Sequence, residues 1–211
     1  MKRGVSTRKL VLLAQDRRGD WRGEPGEHRS VNLAREATVG DLRPVRGKAE
    51  IVDGTLVLIG PSGCLPAIAA GQILASLHRH EDAHGNGYAL PSRAAYAVDL
   101  PNRRSFSPDA SWWTGARGGA GILQGAPAFA AEIRDERDYG PADEEGAAAK
   151  RADYFAGGTQ VVWDVDALRE GVVRVYRADD PEQPVVYHRG ETAEAEPAVP
   201  GWRIPVDELW P

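Results

Sequence analysis

One stretch of this sequence, residues 127–155, constrains the fold more than any other. It begins with the apolar run 128–131, which follows Pro127 and is too short for a helix, so the pattern predicts a buried strand. After a charged loop and Gly140-Pro141 comes a segment of about residues 142–156 that is rich in Ala, Glu and Lys and ends at Gly157-Gly158. Such a segment predicts a helix. The rest of the chain is organised around this strand and this helix.

Strand periodicity separates the side chains of the predicted strand into two sets. Phe129 and Ile133 share one face with Ala131, whereas Glu132 and Arg134 lie on the other. A carboxylate at the end of so apolar a strand costs free energy unless a partner neutralises it. We therefore expect Glu132 to have a partner.

The predicted helix offers that partner. Lys150 and Tyr154 fall on one helix face together with Ala147, at i, i+3 and i+7. Lys150 and Glu132 can then point at the same place. A second carboxylate, Asp109, stands at the mouth of another predicted strand, residues 109–113.

Two carboxylates on neighbouring strands and one lysine are the groups that metal-dependent phosphodiester hydrolysis needs. Carboxylate oxygens bind hard cations such as Mg²⁺ or Mn²⁺. The cation activates water and neutralises charge that develops on the phosphate, while the lysine orients the water or stabilises the transition state. The pattern of Asp109, Glu132 and Lys150 predicts this chemistry.

Four motifs in these regions follow one another in the order and spacing of a known family. They are Pro108-Asp109, Phe129-Ala130-Ala131-Glu132-Ile133, Lys150-Arg151-Ala152-Asp153-Tyr154-Phe155 and Val161-Val162-Trp163-Asp164-Val165-Asp166. This order resembles the Uma-two family, a bacterial group often described as restriction endonucleases, within the PD-(D/E)XK nuclease superfamily. Upstream, Ala49-Glu50-Ile51-Val52-Asp53-Gly54 resembles the strand pair that opens the family's domain. The resemblance extends over about residues 45–210.

The resemblance implies an α/β fold of restriction-endonuclease type, with a mixed central sheet flanked by helices. It implies that Asp109 and Glu132 hold Mg²⁺ or Mn²⁺ together with the Ile133 carbonyl and waters, and that Lys150 positions the attacking water. Glu50 enters as a lesser ligand or water-positioning acid, because the opening strand lies near the acidic site in this family. The implied activity is that of an endonuclease that hydrolyses phosphodiester bonds in DNA.

One departure concerns the superfamily's lysine, which ordinarily follows the second acid by two residues. Arg134 stands at that position here. In the Uma-two family the lysine is understood to have moved to the following helix, which matches Lys150. We therefore predict that Lys150, not Arg134, is the catalytic cation.

The composition indicates how the protein would bind DNA and in which cellular compartment it would work. A formal net charge of -5 over 211 residues argues against a protein that coats nucleic acid, so DNA would bind in a local basic cleft with help from metal. The lone Cys64 excludes an internal disulfide and suits a reducing cytoplasm. No run approaches the ~20 apolar residues of a membrane span, so we expect a cytoplasmic protein with no membrane partner. The sequence is compatible with a monomer or a homodimer.

The remaining pattern divides the chain into two parts. Residues 1–44 are polar and lack sustained periodicity, which predicts a loosely ordered tail. Residues 45–211 carry the nuclease-like domain. Within it, Asp53-Gly54 predicts a hairpin turn, residues 65–80 a helix, and six further segments strands. Those strand segments are 88–90, 94–100, 109–113, 160–165, 172–176 and 184–188.

Each acid of the predicted site also has an ordinary structural interpretation. Asp109 could open a turn. Glu132 could be an edge residue paired with Arg134 or Arg137, and Glu50 a solvent-facing strand residue. With these interpretations the protein would be a catalytically inactive nuclease-fold module for binding or assembly.

The same holds for Lys150, which could be a solvated lysine paired with Glu145 or Asp153. Three histidines within residues 78–84 invite a metal site, but no Cys or further His completes a zinc set. Histidines near a helix C-terminus are favoured by the helix dipole without any metal.

Overall fold

A six-stranded mixed sheet lies at the centre of the molecule in a computed structural model, which describes residues 28–31, 33–116 and 118–211. The strands of these residues, in chain order, are β1 (His28–Val31), β2 (Lys48–Val52), β3 (Thr55–Ile59), β4 (Tyr88–Pro91), β5 (Tyr96–Ala97), β6 (Ser105–Phe106), β7 (Ala110–Trp113), β8 (Leu123–Gln124), β9 (Phe129–Ile133), β10 (Val161–Asp166), β11 (Val172–Arg177), β12 (Asp180–Tyr187), β13 (Thr192–Glu194) and β14 (Arg203–Pro205). The two α-helices are α1 (Cys64–His84) and α2 (Pro141–Ala156).

The central sheet has the order β12-β11-β10-β9-β7-β4. Strands β9 and β10 are parallel, and the other neighbours in this sheet are antiparallel. Parallel neighbours need a crossover connection, and helix α2 supplies it between β9 and β10. The strand and helix predicted from residues 127–156 are therefore confirmed, and the expected mixed sheet with flanking helices is present.

One face of the sheet packs on α1. Ile73 and Leu77 of this helix are fully buried against a cluster that includes Phe129, Trp163 and Trp202. The rings of Trp163 and Trp202 stack with centroids 4.9 Å apart. The helix runs to His84, beyond the predicted end at residue 80, and a left-handed glycine follows it at position 85.

The opposite face packs on α2 and on a small sheet of order β6-β5-β8. Its core contains Ala130, Val162 and Tyr154 together with Tyr96 and Phe106. The rings of Phe106 and Tyr154 stack at 4.0 Å. The two faces of β9 therefore enter different clusters, as its periodicity predicts.

The predicted hairpin joins β2 and β3 through Asp53 and Gly54, which both have positive φ (48° and 67°). Two left-handed residues are what a two-residue hairpin turn requires. Strand β2 also contacts β6, where the Ile51 N–H donates to Ser105 Oγ at 2.9 Å. This contact holds the outer sheet, of order β1-β3-β2, beside the small sheet that contains β6.

The predicted loose tail of residues 1–44 needs a correction where the structure describes it. Strand β1 pairs with β3, and Ala37 and Leu42 are buried in the core of the outer sheet. Arg35 donates two hydrogen bonds of 2.7 Å to the Asp41 carboxylate. The apolar residues of this segment are irregularly spaced, so no periodicity marks them, and pairing with β3 orders part of the segment. Residues 1–27 lie outside the described residues.

No helix of the described ranges has both the length and the apolar character that a membrane crossing demands.

Candidate active site

Asp109 precedes β7 by one residue and faces β9. Its N–H donates to the Ala131 carbonyl at 2.9 Å. Because Ala110, the first residue of β7, pairs with Ala131, Asp109 lies beside the part of β9 that carries Glu132. The Ile133 N–H in turn donates to Asp109 Oδ2 at 2.9 Å. Asp109 is thus fixed by the backbone of the neighbouring strand.

Glu132 turns away from the core face of β9 and keeps about a quarter of its side chain exposed. The Tyr154 hydroxyl donates to Glu132 Oε1 at 2.6 Å. Lys150 Nζ lies 2.9 Å from the same oxygen. Helix α2 therefore supplies both partners of Glu132, as the shared helix face of Lys150 and Tyr154 predicts.

Lys150 also reaches the outer sheet, where its Nζ lies 3.0 Å from Glu50 Oε1. Glu50 is buried on β2. Its other oxygen accepts a 2.7 Å hydrogen bond from Arg103 Nη1, and the Ser107 N–H donates to Oε1 at 2.9 Å. Glu50 is thus not the solvent-facing strand residue of the alternative interpretation.

Lys48 completes the group, and sequence reasoning missed it. Its Nζ lies 2.6 Å from Asp109 Oδ1, and both side chains are mostly buried. Strand periodicity offers the signal that could have found it, because Lys48 and Glu50 are two residues apart on β2 and share one face. We call Glu50, Asp109, Glu132, Lys48 and Lys150 the acid–lysine cluster.

The charges of the cluster shift one another's pKa values in opposite directions. Burial acts to raise the pKa of Glu50, but Lys150, Arg103 and Lys48 together lower it to about 2. Burial raises the pKa of Glu132, and the negative charges of Asp109 and Glu50 raise it further. The positive charges of Lys150 and Lys48 act in the opposite direction but do not cancel this increase. Burial would lower the pKa of Lys150, yet Glu132 and Glu50 raise it. Both Glu50 and Lys150 are therefore charged at neutral pH.

A second layer of polar contacts fixes the cluster. Arg103 bridges Glu50 and Asp153, donating from Nε to Asp153 Oδ2 at 2.7 Å. Asn102 donates to the other oxygen of Asp153 at 2.8 Å. The described structure therefore pairs Asp153 with Arg103 and Asn102, not with Lys150.

Arg134, the residue at the superfamily's lysine position, binds elsewhere. It donates from Nε and Nη2 to the two oxygens of Asp164, at 2.6 and 2.7 Å. It also donates from Nη1 and Nη2 to the two oxygens of Glu144, and from Nη1 to the Asp138 carbonyl. We call Arg134 with Asp164 and Glu144 the arginine clamp.

The clamp concerns two residues of the central sheet. Asp164 lies inside β10, where the sequence predicts the strand of residues 160–165, and is buried. Among the described residues, Glu132 contacts Lys150 and Tyr154, and not Arg134 as the alternative interpretation would require. Among side chains, Arg134 hydrogen-bonds to Asp164 and Glu144. The structure brings Asp109, Glu132, Lys150 and Glu50 together and leaves Arg134 beside them.

The donor set of the cluster suits a hard divalent cation. Asp109 and Glu132 offer carboxylate oxygens on adjacent strands, and Glu50 adds a third acid within reach of the same lysine. Within the described ranges no group of three His, Cys, Asp or Glu side chains is close enough to form a complete metal site. A cation held by Asp109 and Glu132 would need water or substrate oxygens to complete its coordination sphere.

The three histidines near the end of α1 form no such site in the part of the chain described. His84 Nδ1 lies 3.1 Å from the His80 carbonyl, and the two rings stack at 4.2 Å. His78 lies 3.3 Å from Glu81.

The acid–lysine cluster lines one cleft of about 310 Å³ together with Arg134 and Asp164 of the arginine clamp. Its walls come from β2 and β3, from β9 and β10, and from α2. The lining carries seven acids against five lysines and arginines. A mixed sheet with helices on both faces and an acid–lysine cleft at the strand ends defines an α/β nuclease-like fold of restriction-endonuclease type.

Comparison with known proteins agrees with this class. A family model described as "Putative restriction endonuclease" matches residues 41–207, and the chain belongs to this Uma2 (Uma-two) family. A crystal structure of a "putative nuclease belonging to DUF820" from Anabaena variabilis is similar in fold, with a TM-score of 0.64 and 16% sequence identity. That match covers 82% of this chain and 97% of the other. No curated protein matches the sequence.

Proposed function

We propose that this protein is a divalent-metal-dependent endonuclease that hydrolyses phosphodiester bonds in DNA. The observation that carries the proposal is the convergence of Asp109, Glu132, Glu50 and Lys150 from four separate elements at one cleft. Membership of a family described as restriction endonucleases supports the same activity.

The charge of the cleft supports metal dependence. Seven acids and five strong bases leave the lining with an excess of negative charge. A DNA phosphate would be repelled by this excess unless cations bind first. Asp109 and Glu132 are the acids that would hold Mg²⁺ or Mn²⁺, with the Ile133 carbonyl and waters as further oxygen ligands. A bound cation of this kind lowers the pKa of a coordinated water and neutralises charge on the phosphate.

The chain's own residues orient the reactants. Lys150, charged and held between Glu132 and Glu50, donates a hydrogen bond to the attacking water or to a phosphate oxygen. Glu132 keeps about a quarter of its side chain exposed and lines the cleft, as a metal ligand must. Glu50 keeps Lys150 charged and directed into the cleft. Tyr154 holds the Glu132 carboxylate in place.

In the reaction, the water oxygen forms a bond to phosphorus while the bond from phosphorus to the leaving sugar oxygen breaks. The water loses one proton and the leaving oxygen gains one. The products are a phosphate monoester and a free hydroxyl, and no oxidant or reductant is needed.

Nicking of supercoiled plasmid in Mg²⁺ or Mn²⁺ tests the proposal. We expect the wild type to nick the plasmid, EDTA to stop it, and Asp109→Asn and Glu132→Gln to lose both cleavage and calorimetric metal binding. Asp82→Asn, an exposed acid of α1, is the matched control and should behave as wild type. A wild type that binds metal and DNA but never cuts would indicate the binding module instead.

A further inference from the structure

Lys48 is a cation of the cleft for which the motifs of the sequence give no role. It lies on β2, in the outer sheet, and its ammonium group crosses to Asp109 beside the central sheet at 2.6 Å. Only 14% of its side chain is exposed. A lysine so far buried and aimed at a carboxylate of the site differs from an ordinary surface lysine.

The two lysines of the cluster divide the acids between them. Lys150 contacts Glu132 and Glu50, whereas Lys48 contacts Asp109. They arrive from different elements, α2 and β2, on two sides of the cleft. Lys48 is therefore not a duplicate of Lys150.

Both carboxylate oxygens of Asp109 accept a hydrogen bond, one from the backbone and one from Lys48. The Ile133 N–H holds Oδ2 at 2.9 Å, and Lys48 holds Oδ1 at 2.6 Å. A divalent cation that uses Asp109 as a ligand would approach the oxygen that Lys48 occupies, and the two positive charges repel. The ammonium group must then find another acceptor, and its flexible four-carbon stem allows the move.

We propose that Lys48 is a second catalytic lysine, which cedes Asp109 Oδ1 to the divalent cation and then donates a hydrogen bond to a non-bridging oxygen of the scissile phosphate. This inference rests on the proposed function. It assigns the phosphate contact to the outer sheet and the orientation of water to α2. A phosphate bound at Asp109 through the cation is the anion that this ammonium group would meet.

Three measurements on Lys48→Met test the inference, with Arg46→Met as the matched control. Arg46 is an exposed cation two residues before Lys48, so the control removes the same charge from the same segment. Calorimetry with MnCl₂ should show about tenfold tighter binding for Lys48→Met, because a competing positive charge is gone. Arg46→Met should stay within about twofold of wild type, because a solvent-exposed charge is screened.

The other two measurements concern DNA. Affinity for a short DNA duplex in MnCl₂, measured by fluorescence anisotropy, should weaken in Lys48→Met. Its kcat for plasmid nicking should fall by about 100-fold with a smaller change in KM, as expected for a contact that strengthens in the transition state. Lys48→Arg keeps the charge and should recover part of both losses.

Two results would overturn the inference. Unchanged Mn²⁺ affinity in Lys48→Met means that Lys48 does not compete at Asp109. Tighter Mn²⁺ binding with unchanged duplex affinity and kcat means that Lys48 is a counter-ion only. A wild type that binds Mn²⁺ and duplex but cuts nothing refutes the endonuclease proposal, while the two affinities of Lys48→Met still decide the role of Lys48.

Discussion

The acid–lysine cluster lies in the same cleft as Arg134 and Asp164 of the arginine clamp, and each group takes one residue from the end of β9 or directly after it. Glu132 belongs to the first and Arg134 to the second. In the clamp, the five N–H donors of Arg134 meet five acceptors, on Asp164, Glu144 and the Asp138 carbonyl. In the cluster, Lys150 meets two carboxylates with three N–H donors within the part of the chain described.

The difference shows why a cation at the familiar position need not be the catalytic one. A planar guanidinium whose donors are all taken by two carboxylates and the Asp138 carbonyl ties α2 to β10 and to the end of β9, and it has no donor left for a substrate. A lysine between two acids can redirect a donor to water or phosphate without losing its charge. Arg134 thus fixes the framework, and α2 brings the lysine to the acids.

Lys150→Met is the variant that separates the two regions most strongly. We expect cleavage to fall by about 10²–10³-fold, because the donor aimed at the reacting groups is gone. Metal binding should persist or tighten, since a positive charge beside Glu132 is removed. Plasmid nicking and calorimetry measure the two effects. Nicking at the wild-type rate would show that Lys150 is not catalytic, and Arg134 would then be the candidate catalytic cation.

Arg134→Met should act on stability. It leaves the buried Asp164 and the N-terminal part of α2 without their main partner, which costs about 3 kcal/mol of unfolding free energy for a largely buried pair. Urea denaturation measures this loss. The folded fraction should still nick plasmid within a few-fold of wild type, and a stable but inactive Arg134→Met would contradict the division of roles.

Glu50→Gln tests the electrostatics of the cluster through pH. The folded state lowers the pKa of Glu50 from 4.5 to about 2, so its contribution to stability is present above pH 4.5 and is lost as the pH falls through about 2. At neutral pH the unfolding free energy of the wild type should exceed that of Glu50→Gln by about 3 kcal/mol, because each pKa unit corresponds to about 1.4 kcal/mol.

That difference should shrink steadily on acidification, as followed by urea denaturation at several pH values. Glu132→Gln is the control, because the pKa of Glu132 is raised in the folded state and not lowered. Ionisation of Glu132 therefore destabilises the fold as the pH rises, and the advantage of the wild type over Glu132→Gln should decrease in that direction. A constant difference between wild type and Glu50→Gln would contradict the coupling of Glu50 to Lys150.

Glu145→Gln should have the smallest effect. Glu145 is exposed on α2, and Lys150 turns away from it toward Glu50 and Glu132. We expect less than about 0.5 kcal/mol in stability and no change in nicking rate. A clear loss of activity would show that Lys150 exchanges partners along the helix surface.

Much of the candidate site was accessible from the sequence because it depends on local patterns. Period-2 alternation assigned Glu132 to the face opposite Phe129, and helix periodicity placed Lys150 and Tyr154 together. Asp53-Gly54 specified the hairpin through its left-handed turn. The roles of the site residues in catalysis and metal binding stay predictions.

What the sequence by itself determined is therefore the two helices, the strands of the central sheet, the β2–β3 hairpin and the direction of their side chains, since these follow from backbone geometry over a few residues. Only the tertiary structure decided which elements meet. It placed β2 so that Lys48 forms a salt bridge with Asp109, and it paired Arg134 with Asp164. It also paired β1 with β3, where the sequence indicated a loose tail, and buried Trp202 in the main core. These contacts join residues that are distant in the chain, and their energies depend on packing and charge in three dimensions that no local pattern encodes.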